Sequence, residues 1–514
     1  MKILKLLLLA GIILGFSGCK KFLEEEPTKQ STIKTADQLE ALINNATQFA
    51  NDGTPGNGGT NGSAGFSTDD TEIPLDAYAA NSAGKWTIDN LYFYTFKTDE
   101  IIGLASDPIW NGEYKKIFTA NLILTNLDKV TGDEDMKSEL RADAYLIRAY
   151  AYWVLVNHFC LPLTATNKNE PGLGLPLKRT TDYEESFVRS TIQEVYDLIL
   201  ADLNEAKKTS KEDVDLLKPW RVSKKGVEAF LSRYYLFLGN YTESLIHTNN
   251  ALASTNATLV DFHTIVAGTQ QNYTNPVGAI INSEFYDYPA AKFLYWKEFY
   301  FPRFSYQSGQ WLIPSTALRN LYDQANDLRF KWLMLPNSNR RFSIVSHNLY
   351  RYAFFSDGRI IPTGPTVAEM LLNKAEILAR QNNVGEAMAA VNLLRAKRLN
   401  IAAPLTAADQ TEALAKVLEE RRRELPFSFR WYDIRRFSVN DYPGDDVTVT
   451  HTFYKVNVGS VDLTSTQTYT LAPGSKRYAV PINGVEMKAS KDEIIQNPYR
   501  VVAPVQTTAT PKQY

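Results

Sequence analysis

Residues 223–253 read SKKGVEAFLSRYYLFLGNYTESLIHTNNALA. Val227, Leu231, Tyr234 and Leu238 recur every three or four positions, which puts them on one stripe of a helix, and Ser223 is a residue type that caps a helix N-terminus. Gly239-Asn240 interrupts the period and it resumes over 241–253, so the stretch predicts two helices folded back across a tight turn. A second pair follows at 367–380 and 384–399, with Gln381-Asn382-Asn383 between them. Two more amphipathic segments are 139–159, carrying Leu140, Ala144, Ile147, Ala151 and Val154, and 411–425, carrying Leu414, Val417, Leu418 and Leu425. The chain reads as mainly α.

Helix, Gly-Asn-Tyr turn, helix is similar to a tetratricopeptide unit, with Gly239, Tyr241 and Leu245 near the positions that repeat favours. The units do not recur at the repeat's regular spacing of about 34 residues. Helix pairs embedded in a larger fold are therefore expected, not a simple array. Residues 51–65 are dense in Gly, Asn and Thr and read as a loop. Residues 261–365 and 440–480 lack helical period and mix Pro, Gly, Tyr and β-branched residues; they read as a loop-rich insertion with a few short strands, for example 447–455.

The N-terminus places Lys2 and Lys5 ahead of an apolar run from Leu6 to Phe16, the layout of a secretory signal and too short for a membrane-spanning helix. Ser17-Gly18-Cys19 ends that run as a bacterial lipobox does, with Phe16 where Leu is usual, so Cys19 is the expected lipid anchor. Removing 1–18 leaves 53 Lys+Arg against 57 Asp+Glu, a net −4, and only Cys160 beside the acylated Cys19, so no structural disulfide is expected. The absence of a basic surplus argues against a nucleic-acid partner. The 44% hydrophobic content argues against disorder. Aromatics make up 12% of the chain, with 28 Tyr, more bulky surface than helix seams alone explain.

Motifs of chemistry are missing. The chain has no Gly-x-Ser-x-Gly, Walker loop, His-Glu-x-x-His or Cys-x-x-Cys. His158, His247, His263, His347 and His451 are scattered without metal-ligand spacing, so neither metal nor cofactor is expected, and His158 reads as a packed or capping residue. Asp69-Asp70 reads as a solvated loop pair. The run Glu419-Glu420-Arg421-Arg422-Arg423-Glu424 reads as intrahelical ion pairs, and the aromatic–arginine alternation of 427–437 as Arg packed on rings.

Taken in order, the motifs resemble the SusD/RagB family of Bacteroidetes lipoproteins. Cys19-Lys20-Lys21-Phe22-Leu23-Glu24-Glu25-Glu26-Pro27 is similar to the mature start of that family. Trp110-Asn111, Asn121 and Leu124 with 139–159 resemble its early helices. Pro314-Ser315, Leu321-Tyr322-Asp323 and Asp327-Leu328-Arg329 resemble its central motif. Glu369-Met370 through Ala375-Glu376, and Ala390-Val391-Asn392 with Arg395, resemble its penultimate helix pair. Glu420-Arg421-Arg422, Leu425, Arg430-Trp431 and Asp433-Ile434-Arg435-Arg436 match its C-terminal signature, and Pro481-Ile482 with Glu493-Ile494 to Asn497-Pro498 its closing segment. Phe427-Ser428-Phe429 departs from the acidic residue and glycine common there.

The resemblance implies a signal peptide at 1–18, a lipidated tether at 19–40, and SusD-like parts at 41–260 and 261–514 forming one composite domain. It also implies a non-catalytic, outer-membrane, surface-exposed lipoprotein that binds oligosaccharide and passes it to a SusC-like TonB-dependent transporter. Some members take peptides or glycoproteins. A surface glycosidase with two separated carboxylates and a pure protein-binding scaffold stay open as alternatives.

For the ligand, exposed aromatics on the non-helical segments are the expected platforms: Tyr78 and Trp86, then Tyr273, Trp296 and Tyr300, with Asn81, Asn272 and Arg303 as hydroxyl partners. A sugar presents a C–H face to such rings. Burying about 100 Å² at ~25 cal/mol per Å² gives roughly 2.5 kcal/mol per platform before association costs.

Overall fold

The computed structural model describes residues 33–52, 63–80, 86–103, 107–265, 267–268, 281–282, 292–306, 312–336, 349–352, 354, 360–499 and 505–507. Sixteen α-helices lie among these residues, with short strands between them. The elements used below are α1 (Ala36–Ile43), α2 (Leu75–Ala80), α3 (Ile88–Tyr94), α4 (Pro108–Asn126), α5 (Glu134–Phe159), α6 (Ile192–Ala206), α7 (Lys224–Phe237), α8 (Tyr241–Leu252), α9 (Val367–Arg380), α10 (Val384–Arg395), α11 (Gln410–Glu424) and α12 (Ser428–Phe437). The strands are β1 (Asn51–Asp52), β2 (Phe304–Tyr306), β3 (Ile360–Pro362), β4 (Val449–Asn457), β5 (Ser460–Leu471) and β6 (Val505–Thr507).

Ser223 caps α7 as expected, its Oγ accepting the Gly226 N–H at 3.0 Å. Gly239 turns the chain at φ +72°, a left-handed value that glycine adopts without strain, and Asn240 then caps α8 by accepting the Glu243 N–H at 3.2 Å. The second pair turns on Asn382 at φ +63°. The pairs stack in sequence: α7 on α8, α8 on α9, α9 on α10, and α11 across α9 and α10. Short polar side chains lace this stack, Ser232 with Thr248 at 2.7 Å and Asn373 donating to Ser232 Oγ at 3.0 Å. Upstream, α4, α5 and α6 continue the layer, and α1 packs on α5 over a smaller core around Leu39, Ile43, Ile123 and Leu140.

α5 begins earlier than its periodicity indicates, at Glu134 behind the cap Asp133, and from Ala149 to Phe159 it is buried on every side. The charge run of α11 departs more sharply from expectation. Only Arg423 pairs within the helix, with Glu419 and Glu420. Arg421 reaches Asp433 of α12 at 2.8 Å, Arg422 reaches Asp70 at 2.6 Å, Glu420 holds Arg329 and Arg395, and Glu424 holds Arg329 and Arg398. The run is a tertiary clamp: the helix is packed on several sides, so its charges meet other elements before each other. The alternation of 427–437 does place Arg on rings, with Arg436 over Phe437 at 4.4 Å and over Phe237 at 5.6 Å.

The insertion contributes β2, which pairs parallel with β1 and antiparallel with β3. The strand expected at 447–455 is β4, the first arm of a longer hairpin with β5 that turns at Val458-Gly459, with β6 paired on its far edge. One large core runs through the whole assembly, from Ala46 to Ile494.

Candidate functional site

Tyr78 on α2 and Trp86 just before α3 are 6% and 3% exposed. Their rings lie 6.0 Å apart, and Tyr78 also meets Phe453 at 5.0 Å and Tyr454 at 6.1 Å on β4. They close the seam between α2 and the hairpin. Trp296 (7% exposed) packs edge-on against Phe354 at 5.6 Å, and Tyr300 is 1% exposed. The four aromatics therefore do not present the open faces expected of them. Residues far away in sequence account for the first three: Phe453 and Tyr454 of β4 pack on Tyr78, which Trp86 adjoins, and Phe354 packs on Trp296. Asn81, Asn272, Tyr273 and Cys19 lie outside the described residues.

Arg303 belongs to a buried charge cluster. Its guanidinium meets Asp52 at 2.8 Å and Glu113 at 3.2 Å and lies 4.1 Å over the Tyr150 ring. Lys116 joins Glu113 at 2.5 Å and donates to the Asn51 carbonyl; Thr363 donates to Asp52 at 2.6 Å. Burial pushes Lys116 down to about 8 and pushes the Asp52 carboxyl up. Gly364 lets the chain pass close to Arg303: a Cβ there would sit 2.4 Å from the Phe301 carbonyl oxygen and 2.7 Å from the Arg303 nitrogen. With these partners Arg303 ties β1, β2 and α4 together and is not held out toward a ligand.

Asp69-Asp70, expected to be solvated, is the second correction. Asp70 is fully buried, taking Arg422 at 2.6 Å and the Phe427 N–H at 2.9 Å. Asp69 takes Arg430 through both oxygens at 2.8 and 2.9 Å; burial opposes ionisation, but the guanidinium outweighs it and holds the carboxyl down to about 2. Phe427, at φ +64° and fully buried, makes the turn that delivers its N–H.

Beside this junction opens a polar cleft of about 360 Å³. Thr71, Glu72, Thr316, Thr450 and Thr452 bring hydroxyls and a carboxylate to it, and Tyr94 and His451 line it too. Tyr94 stacks on His451 at 4.0 Å, and its Oη accepts the Ile73 N–H at 3.1 Å. Glu72 accepts from the Thr316 N–H and hydroxyl at 3.0 and 3.1 Å. Pro74 and Leu75, at the start of α2, complete the wall of the cleft. Its chemistry suits a neutral polyhydroxylated ligand: many hydrogen-bonding groups over an aromatic floor.

An aromatic cleft of about 250 Å³ lies elsewhere, between α4 and the loop 178–187. Trp110, Tyr114, Phe118, Tyr183 and Phe187 line it. Sequence reading passed over it, although Tyr183 is a lone ring in the polar stretch Thr180–Glu185, and that isolation is the available signal. A further cleft, about 410 Å³, sits where α7 turns into α8, and its Arg380 and Arg436 are already paired with Glu376. Among the described residues no three His, Cys, Asp or Glu converge as a metal site, and no helix is long and apolar enough to cross a membrane.

Two family models match the sequence. Residues 21–236 match a SusD-like model described as starch-binding associating with outer membrane, and residues 367–499 match the SusD family. No curated protein matches the chain. Among solved structures, it is similar to a putative sugar binding protein from Bacteroides vulgatus, with TM-score 0.61 and 20% identity over 91% of this chain and 99% of that one. A SusD superfamily protein from Bacteroides thetaiotaomicron gives TM-score 0.61 and 16% identity over 90% and 100%. A laminarin binding SusD-like protein gives 0.56 and 18% over 91% and 100%. At these identities the structural likeness establishes the mainly α fold with its helix pairs.

Proposed function

The chain belongs to the SusD/RagB family, and from that membership we propose that it is a lipid-anchored, non-catalytic outer-membrane protein that captures oligosaccharide and delivers it to a SusC-like TonB-dependent transporter. The observation that carries the reading is the match of residues 21–236 to a family described as starch-binding and associated with the outer membrane. The polar cleft supports it: hydroxyl and carboxylate groups converge there beside the stacked rings of Tyr94 and His451. The laminarin and sugar-binding neighbours make neutral glucans the first ligands to try.

In this reading Cys19 carries the acyl chains, the acidic Glu24–Glu26 follows it to the outer face, and ligand is held by hydrogen bonds in the cleft and by stacking on the segments that carry Tyr273 and Asn272. Weak capture, millimolar to micromolar, matches a protein that must release its cargo.

Calorimetric titration of the mature protein with laminarihexaose and maltohexaose tests this. Saturable binding without sugar turnover is expected, and Glu72→Gln, Asn81→Ala or Tyr273→Ala should each weaken it about tenfold. Appearance of shortened sugars, or no binding across neutral glucans, would overturn the reading. Co-purification of a TonB-dependent transporter tests the delivery step.

A further inference from the structure

We propose that the aromatic cleft between α4 and the loop 178–187 is a second saccharide subsite, one that holds a single pyranose ring of a neutral glycan against the open face of Tyr183. It shares no lining residue with the polar cleft.

Tyr183 is 79% exposed, yet its ring is oriented: it stacks on Phe118 with centroids 5.7 Å apart and planes 27° apart. One face is thus fixed on α4 and the other is left to solvent. A flat, exposed, immobilised apolar face is costly in water, and the C–H face of a pyranose is its complement. The walls of the cleft are also rings, with Trp110 4.8 Å from Tyr114, and the Lys178 ammonium 3.5 Å over Phe187. Polar groups stand around the rim: Asn111 from α4, Thr181 and Asp182 from the loop, and Glu486 from the helix Gly484–Ala489. Rings below and amide, hydroxyl and carboxylate groups at the edge are what a ring with equatorial hydroxyls needs. The volume of about 250 Å³ falls just below the roughly 300 Å³ at which pockets for drug-sized ligands begin, which suits a ligand smaller than those, such as one sugar ring.

The loop is preorganised. Glu185 accepts the Arg179 and Thr180 N–H groups at 3.0 and 3.3 Å and the Thr180 hydroxyl at 3.1 Å. Lys178 donates to the Glu185 carbonyl. Glu493 accepts the Phe187 N–H at 2.7 Å and the Ser186 hydroxyl at 3.0 Å. Arg189 anchors the loop's end through the Gly174 and Ile495 carbonyls, both at 2.8 Å. A platform held this firmly loses little freedom on binding.

The test is calorimetry and saturation-transfer NMR on the full mature chain with laminarihexaose and maltohexaose. Two classes of site are expected. Tyr183→Ala should remove one class, lowering its affinity at least tenfold, and Tyr183→Phe should retain it; exposure of the side chain means neither variant should shift the melting temperature. Glu72→Gln should leave this class unchanged. A single class of site indifferent to Tyr183→Ala would overturn the proposal and leave the polar cleft standing. Binding lost only with Tyr183→Ala would support this subsite and count against the polar cleft, and absence of binding by either sugar would overturn both.

Discussion

His158 sits near the end of α5 with the rings of Phe159 at 4.6 Å and Phe93 at 6.5 Å. Burial, with the Arg435 guanidinium nearby, pushes it down to about 3 from the ordinary 6.5. The folded protein therefore keeps this imidazole neutral where the unfolded chain would protonate it. Its contribution to stability is complete above pH 6.5 and is lost as the pH falls from 6.5 toward 3. Between pH 7 and pH 5 the loss from this residue is about 2 kcal/mol. Other buried groups titrate in the same range: burial raises Asp107 and Asp143 to about 6, which acts in the opposite direction. The quantity to follow is therefore the difference between wild type and His158→Leu in chemical denaturation at pH 7 and pH 5. The variant should lose less stability on acidification by about that amount; equal losses would show that the imidazole is not kept neutral. At this scale the sequence reading of His158 as a packed residue agrees with its burial, whereas Asp70 misled it, because nothing local to Asp70 announces Arg422.

Helices α5, α7 and α9 meet at one fully buried pair. Arg233 donates to Glu369 through Nε at 2.7 Å and Nη2 at 2.6 Å, and its Nη1 reaches Tyr150 Oη at 3.2 Å. Tyr150 in turn donates to the Thr363 carbonyl at 2.9 Å, and the guanidinium lies between the Trp153 and Phe429 rings at 5.1 and 4.8 Å. Removing one member leaves the other charge buried and unpaired. Glu369→Gln should cost about 3–5 kcal/mol in urea denaturation, and Arg233→Met with Glu369→Leu should recover most of it. A single variant costing under about 1 kcal/mol would show that water reaches the site. The helices carrying these residues were legible from their 3.6-residue period, since each buries one stripe. Their ends and α5's buried second half were less so. A helix covered on all sides has no polar face to mark its phase.

Across the whole molecule, segments far apart in the sequence are bound into one core. Asp69 and Asp70 clamp Arg430 and Arg422 some 350 positions away, and the polar cleft opens beside that clamp. The mature protein is proposed to reach its membrane through Cys19 alone, and two or more acyl chains, at ~0.8 kcal/mol per buried CH₂, hold stably where one does not. Cys19→Ser should move the protein from the membrane fraction to the soluble fraction on cell fractionation, and abolish palmitate labelling, with glucan binding unchanged. Retention in the membrane fraction would point to a different anchor.

The sequence by itself determined that this chain is helical, that its helices come in turned pairs, and that its motifs follow the order of one family, because period, caps and turns are local properties of the chain. Only the tertiary structure decided which aromatics face water. Tyr78, Trp86, Trp296 and Tyr300 read as open, but all four are buried, Tyr78 under Phe453 of β4 and Trp296 against Phe354. Tyr183 stands alone among polar residues, and it is Phe118 of α4, far upstream, that orients its exposed ring. Exposure is set by what packs on a side chain, and that partner is seldom a neighbour in sequence.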